Sequence, residues 1–141
     1  MTSAVPIGVA ARETGIKVPT IRYYEKIGLL PPPPRTPRNR RSFDDCDLRR
    51  LKFIRHARGL GFEIDSIRAL LLLQDNPDQS CIAADQIACA RLTEVEQRIS
   101  SLAALKIELE RMIAGCKRGH VRQCRVIQVL ADHSQCQNLR H

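Results

Sequence analysis

Tryptophan is absent from this 141-residue chain, and all aromatic residues together make up 4% of it. A core must therefore be built from aliphatic side chains, which suits long helices better than a β-sandwich. Long apolar runs are missing as well. The longest, Ala69 to Leu73, falls far short of the roughly 18 residues that a membrane span requires. The N-terminus lacks the basic-then-apolar order of a secretory signal, so a cytoplasmic chain with no membrane partner is expected. At about 100 to 200 residues per domain, the length excludes a large two-domain enzyme. Paired carboxylates in a cleft pattern, a phosphate-binding glycine loop and a nucleophile elbow are all lacking, and no catalytic residue is expected.

Positive charge, by contrast, is plentiful: 23 Lys plus Arg against 15 Asp plus Glu give a formal net charge of +8. It is unevenly placed. Residues 1–70 hold 14 basic and 7 acidic side chains, a net of +7, whereas residues 71–141 hold 9 and 8, a net of +1. Within the second half, residues 75–110 hold 3 basic against 7 acidic side chains. A basic half joined to this acidic stretch suggests a polyanion-binding module with an appended assembly element; solvated surface charge is the alternative.

Apolar spacing predicts a short helix over Ile7–Thr14, stopped at Gly15, and a second over Val18–Lys26 with Pro19 in its first turn. Helix, tight glycine turn and helix form the unit that lays its second helix in a DNA major groove. Four prolines, Pro31 to Pro34, then forbid helix, and Arg35, Arg38, Arg40 and Arg41 follow before Ser42-Phe43. Such a stiff cationic loop, or wing, suits a phosphate backbone. Asp44-Asp45 opens a further helix with Leu48, Leu51, Ile54 and Ala57 inward. Glu63–Leu73 forms another, with Ile64, Ile67, Leu70 and Leu71 inward.

Beyond Asn76-Pro77-Asp78 the pattern changes. Ala88, Leu92, Val95, Ile99, Leu102, Lys106, Leu109 and Ile113 are separated by 4, 3, 4, 3, 4, 3 and 4 residues, a sustained heptad seam. A helix over 80–115 would run about 54 Å, too long to bury that seam against four short helices, so a homodimer through this helix is expected. Lys106 is the one awkward seam residue, its stem able to cover apolar surface.

Six cysteines in a chain of this kind read as thiols, redox groups or metal ligands rather than a disulfide framework. Cys116 and Cys124 are separated by seven residues, and Gly115 and Gly119 favour a loop that brings both to one ion. Two thiolates suffice for Cu(I), whereas Zn²⁺ or Cd²⁺ takes about four donors. His120 inside the loop is a candidate donor. Cys46 and Cys89 read as small packing residues, and Cys136 with His133 as an optional second ion site.

Ile7-Gly-Val-Ala, Thr20-Ile-Arg-Tyr-Tyr-Glu25, Gly28-Leu-Leu, the Arg35–Phe43 wing and Leu51-Lys-Phe-Ile-Arg-His-Ala-Arg58 with Leu60-Gly-Phe62 together resemble the MerR family of transcriptional regulators. The resemblance covers about residues 6–130. It implies an all-α fold with a small wing, organised as a winged helix-turn-helix DNA-binding domain over 1–75, an antiparallel coiled-coil dimerisation helix over 76–115 and a metal-binding loop with a tail over 116–141. It also implies an activator that distorts double-stranded promoter DNA with an over-long spacer so that RNA polymerase can use it. By position, Thr20, Arg22, Tyr23 and Tyr24 match the recognition helix, with one of the two tyrosine rings expected in the core. Arg35, Arg41 and Arg58 match the phosphate and groove contacts. The sequence departs at Arg40, where an aromatic is usual and where Arg adds a phosphate contact, and at Phe43, where Tyr is common.

The same resemblance places Cys81 against the partner protomer's loop, with Cys there in divalent sensors and Ser in copper-type ones. Cys81, Cys116, Cys124 and His120 are therefore the expected ligands of Zn²⁺ or another divalent ion such as Cd²⁺, Pb²⁺ or Hg²⁺. A Cu(I)-responsive relative, a thiol redox switch through Cys116 and Cys124, and a metal store that binds nucleic acid by charge alone are the alternatives.

Overall fold

The computed structural model describes residues 4–31, 41–116, 119–132 and 134. Its elements are strand β1 (Val5–Pro6), helices α1 (Ile7–Thr14) and α2 (Val18–Lys26), strand β2 (Ser42–Phe43), and helices α3 (Asp45–Gly59), α4 (Ile64–Gln74), α5 (Ile82–Ala114) and α6 (Arg125–Ala131). A single 3-10 turn, Val121–Gln123, precedes α6. The expected class, all-α with a small wing, is the one observed. The strands pair antiparallel, Val5 with Phe43 and Pro6 with Ser42, and form the root of the wing. Among the described residues no helix is long and apolar enough to cross a membrane.

The chain divides into two compact units, residues 1–87 and 88–141. In the first, the turn between α1 and α2 depends on Gly15, whose φ of 72° is left-handed and whose N–H closes onto the Ala11 carbonyl at 2.9 Å. Pro19 sits in the first turn of α2, as expected. Asp44 caps α3 through a reciprocal box: its carboxylate accepts the Asp47 N–H at 2.8 Å, and the Asp47 carboxylate accepts the Asp44 N–H at 3.1 Å. The core is aliphatic, as the shortage of aromatics requires. Ile21, Leu29, Leu51, Ile54, Ile67 and Leu71 are sealed from solvent around Phe43. Leu48 and Ala57 also face inward, while Ile64 and Leu70 are only half-buried at the edge.

The second unit has a smaller core. Met112 on α5 packs with Val126 and Val129 on α6, which folds the chain after α5 back onto that helix. Glu108 on α5 is also buried and pairs with Arg111 at 3.1 Å. Along α5 the seam stays open: Leu92, Ile99, Leu102, Leu109 and Ile113 are each more than half exposed. Lys106 is also exposed and reaches Glu110 at 3.9 Å.

Candidate DNA-reading surface and thiol site

Helix α2 presents two different faces. Ile21 and Tyr24 turn into the core, while Arg22 and Tyr23 project outward, with Thr20 half-buried in the first turn. The two tyrosine rings stand 6.1 Å apart, and Tyr23 is 51% exposed against 7% for Tyr24. Tyr24 is thus the ring that belongs to the core, as expected of one of the two. A helix face carrying a guanidinium, a phenol and a hydroxyl can hydrogen-bond both base edges and phosphates. Arg58 is exposed at the end of α3, donating to the Phe62 carbonyl at 3.1 Å. Arg35 and Arg40 lie outside the described residues.

Arg41 is buried. Its side chain lies between two carboxylates, Glu25 at 3.1 Å and Asp47 at 3.8 Å. It also donates to the carbonyls of Pro31 and Ser42 and stacks on the Phe43 ring. Burial is the main influence on Asp47, raising its carboxyl above the usual range against the Asp44 N–H and the Arg41 charge.

Two more arginines reach backbone carbonyls where sequence reasoning counted only charge. Arg50 donates to the Leu29 carbonyl at 2.7 Å and pairs with Asp75 at 3.2 Å, tying the end of α2 to the end of α4. Arg55 donates to the Thr14 carbonyl at 2.9 Å, bracing the helix-turn-helix turn from α3. Part of the basic excess therefore also braces backbone carbonyls. The acceptors lie 21 and 41 residues away, so no local sequence signal marks them.

In the second unit the structure brings Cys116 and Cys124 together. Cys116 follows the last turn of α5, Cys124 precedes α6, and the Cys116 side chain is near enough to help lower the Cys124 pKa. Both are half-buried free thiols. The N–H groups of Ile127 and Val126, at the start of α6, point at the Cys124 sulfur, and the first of these is the main cause of its lowered pKa. His120 precedes the 3-10 turn and is exposed. Its carbonyl, not its ring, is what the Gln123 N–H meets, at 2.9 Å. Cys81, in the first unit, is exposed just before α5. Cys46 and Cys89 are exposed too in the isolated protomer. Cys136 and His133 lie outside the described residues. Among the described residues no group of three or more His, Cys, Asp or Glu gathers as one cluster.

Residues 5–74 match the family described as MerR HTH family regulatory protein, and residues 48–112 match the family described as MerR, DNA binding. The HTH-type transcriptional regulator ZntR of Escherichia coli (strain K12) is 41% identical over 78% of this chain and 79% of its own length. The HTH-type transcriptional regulator HmrR of Rhizobium leguminosarum bv. viciae is 34% identical over 89% of this chain and 97% of its own. The crystal structure of the transcription regulator PbrR691 from Ralstonia metallidurans CH34 in complex with lead(II) matches with a TM-score of 0.78. It is 34% identical and covers 89% of this chain and 98% of that one.

Proposed function

The chain belongs to the MerR family of transcriptional regulators, and on that premise we propose that it is a metal-responsive activator. Regulators of this family bind promoter DNA and function as dimers. In our reading residues 1–75 read the promoter, with Thr20, Arg22 and Tyr23 in the major groove and Arg35, Arg40 and Arg58 on the phosphates. Residues 76–115 dimerise as an antiparallel coiled coil through the open seam of α5, and residues 116–141 sense metal. Metal binding alters how the dimer bends the DNA, which lets RNA polymerase use the promoter of an efflux or detoxification gene.

The observation that carries the sensing half is the meeting of Cys116 and Cys124 at the turn between α5 and α6. Two neighbouring thiols, one of them already inclined to ionise, suit a soft or borderline cation. For a divalent ion of the zinc class, His120 and Cys81 complete the donor set. As the family resemblance implies, the Cys81 donor comes from the second protomer. Zn²⁺, Cd²⁺, Pb²⁺ and Hg²⁺ all accept such donors. The extra thiolate would supply the negative charge that an extra positive charge requires.

A Cu(I) reading is favoured by one finding, that the only thiols in mutual contact among the described residues number two, enough for linear coordination. Competition titration of the reduced protein with Zn²⁺, Cd²⁺ and Cu(I), run beside Cys81→Ser, separates the two. A switch to Cu(I) preference in the variant supports the divalent reading, and no change supports copper. Absence of stoichiometric binding by any of them refutes metal sensing and leaves a thiol redox switch.

A further inference from the structure

Arg41 is held by more partners than a surface cation needs. Only 9% exposed, its guanidinium meets Glu25 Oε2 at 3.1 Å through Nε and Asp47 Oδ2 at 3.8 Å through Nη1. It donates to the Ser42 carbonyl at 3.3 Å and the Pro31 carbonyl at 3.1 Å, and lies 4.2 Å over the centre of the buried Phe43 ring. These partners come from four places: α2, the residue that opens the proline run, β2 and α3. Pro31 and Ser42 bracket the segment that holds Arg35, Arg38 and Arg40. One planar fork thus ties both ends of the wing to the helix whose outer face carries Arg22 and Tyr23. To reach a phosphate, Arg41 would have to abandon two carboxylates and two carbonyls, and a carboxylate left buried without its cation is strongly destabilising.

We propose that Arg41 is a positioning residue for DNA binding: paired with Glu25, it fixes the root of the wing against α2 and makes no phosphate contact itself. The inference rests on the DNA-binding reading of this unit. It gives Glu25, a negative charge in a domain for a polyanion, a reason to be there. Charge alone says that removing Glu25 tightens DNA binding, and a phosphate-contacting Arg41 says the same, since the guanidinium would be released. Positioning says the opposite.

The test uses a duplex recovered by the full-length wild-type protein from a random-sequence library, with affinity measured by fluorescence anisotropy at several salt concentrations. Glu25→Gln is expected to weaken binding by about tenfold or more. It should also flatten the dependence of log K on log salt by about 0.9 for each phosphate that the wing no longer touches. Arg41→Lys keeps the charge but cannot span the same acceptors, and is expected to behave alike. A thermal melt establishes that each variant is folded at the assay temperature; should one not be, the other carries the test. Binding by Glu25→Gln as tight as wild type or tighter overturns the positioning role. So does weaker binding with an unchanged salt slope, the signature of a mere shortage of folded protein. If the wild-type chain recovers no specific duplex, the DNA-binding reading itself falls and takes the positioning role with it.

Discussion

Leu102 offers the sharpest test of the dimer. It lies mid-way along the seam of α5 and is 64% exposed in the isolated protomer. Replacing it with alanine removes three carbons, worth about 0.8 kcal/mol each when taken fully out of water. Scaled by the exposed fraction, the substitution costs roughly 1.5 kcal/mol per protomer, and a symmetric dimer bears that cost at two places. The total of about 3 kcal/mol corresponds to a dissociation constant raised by about a hundredfold. Alanine is the better helix former, so the helix itself is not weakened. Sedimentation equilibrium over a range of protein concentrations reads the constant directly, and Lys106→Ala, also exposed but charged, serves as the comparison. An unchanged constant for Leu102→Ala, or a wild-type protein that stays monomeric at all concentrations, would refute the seam as the interface.

Other expectations follow from local geometry. The lowered pKa of Cys124 predicts that its alkylation rate rises with pH at a lower inflection than in the same protein held in denaturant; coincident inflections count against it. By linkage, the stability this thiolate contributes is fully present above the ordinary thiol pKa and fades as pH falls through the lowered folded value. The reduced, metal-free protein should therefore gain stability with rising pH across that window, and Cys124→Ser should lose the gain. Asp44→Ala opens the capping box of α3 and should cost about 1 kcal/mol by urea unfolding, with a cost near zero as the refuting result. Gly15→Ala forces a left-handed alanine and sets its Cβ against the Arg55 guanidinium, which must release the Thr14 carbonyl. A loss of about 2 kcal/mol is expected, and a stability gain would show that the turn has another conformation available.

Much of the fold is legible in the sequence because its signals are local. Gly15, Pro19 and Asp44 each act through backbone a few residues away, and the periods of α1 to α4 name their buried faces. The seam of α5 is legible for the same reason, since a heptad repeat is a property of one helix. The site is only half legible. Spacing brings out Cys116 and Cys124, yet it takes the packing of Met112 against Val126 and Val129 to turn α6 back so that the thiols meet. Tyr23 and Tyr24 are adjacent and chemically identical, and only the fold says which ring is inside.

The sequence by itself determined the family motifs, the helix boundaries, the aliphatic core and the uneven charge, because each is written in composition or in neighbouring residues. The tertiary structure alone decided what the arginines do. Arg41 reads as a DNA contact, and Arg50 and Arg55 as part of the basic excess, until their acceptors, 10 to 41 residues distant in the chain, are brought beside them. A guanidinium carries the same charge wherever it stands. Whether it meets a phosphate or locks two carboxylates and two carbonyls inside the protein depends on which distant groups the core places within its reach.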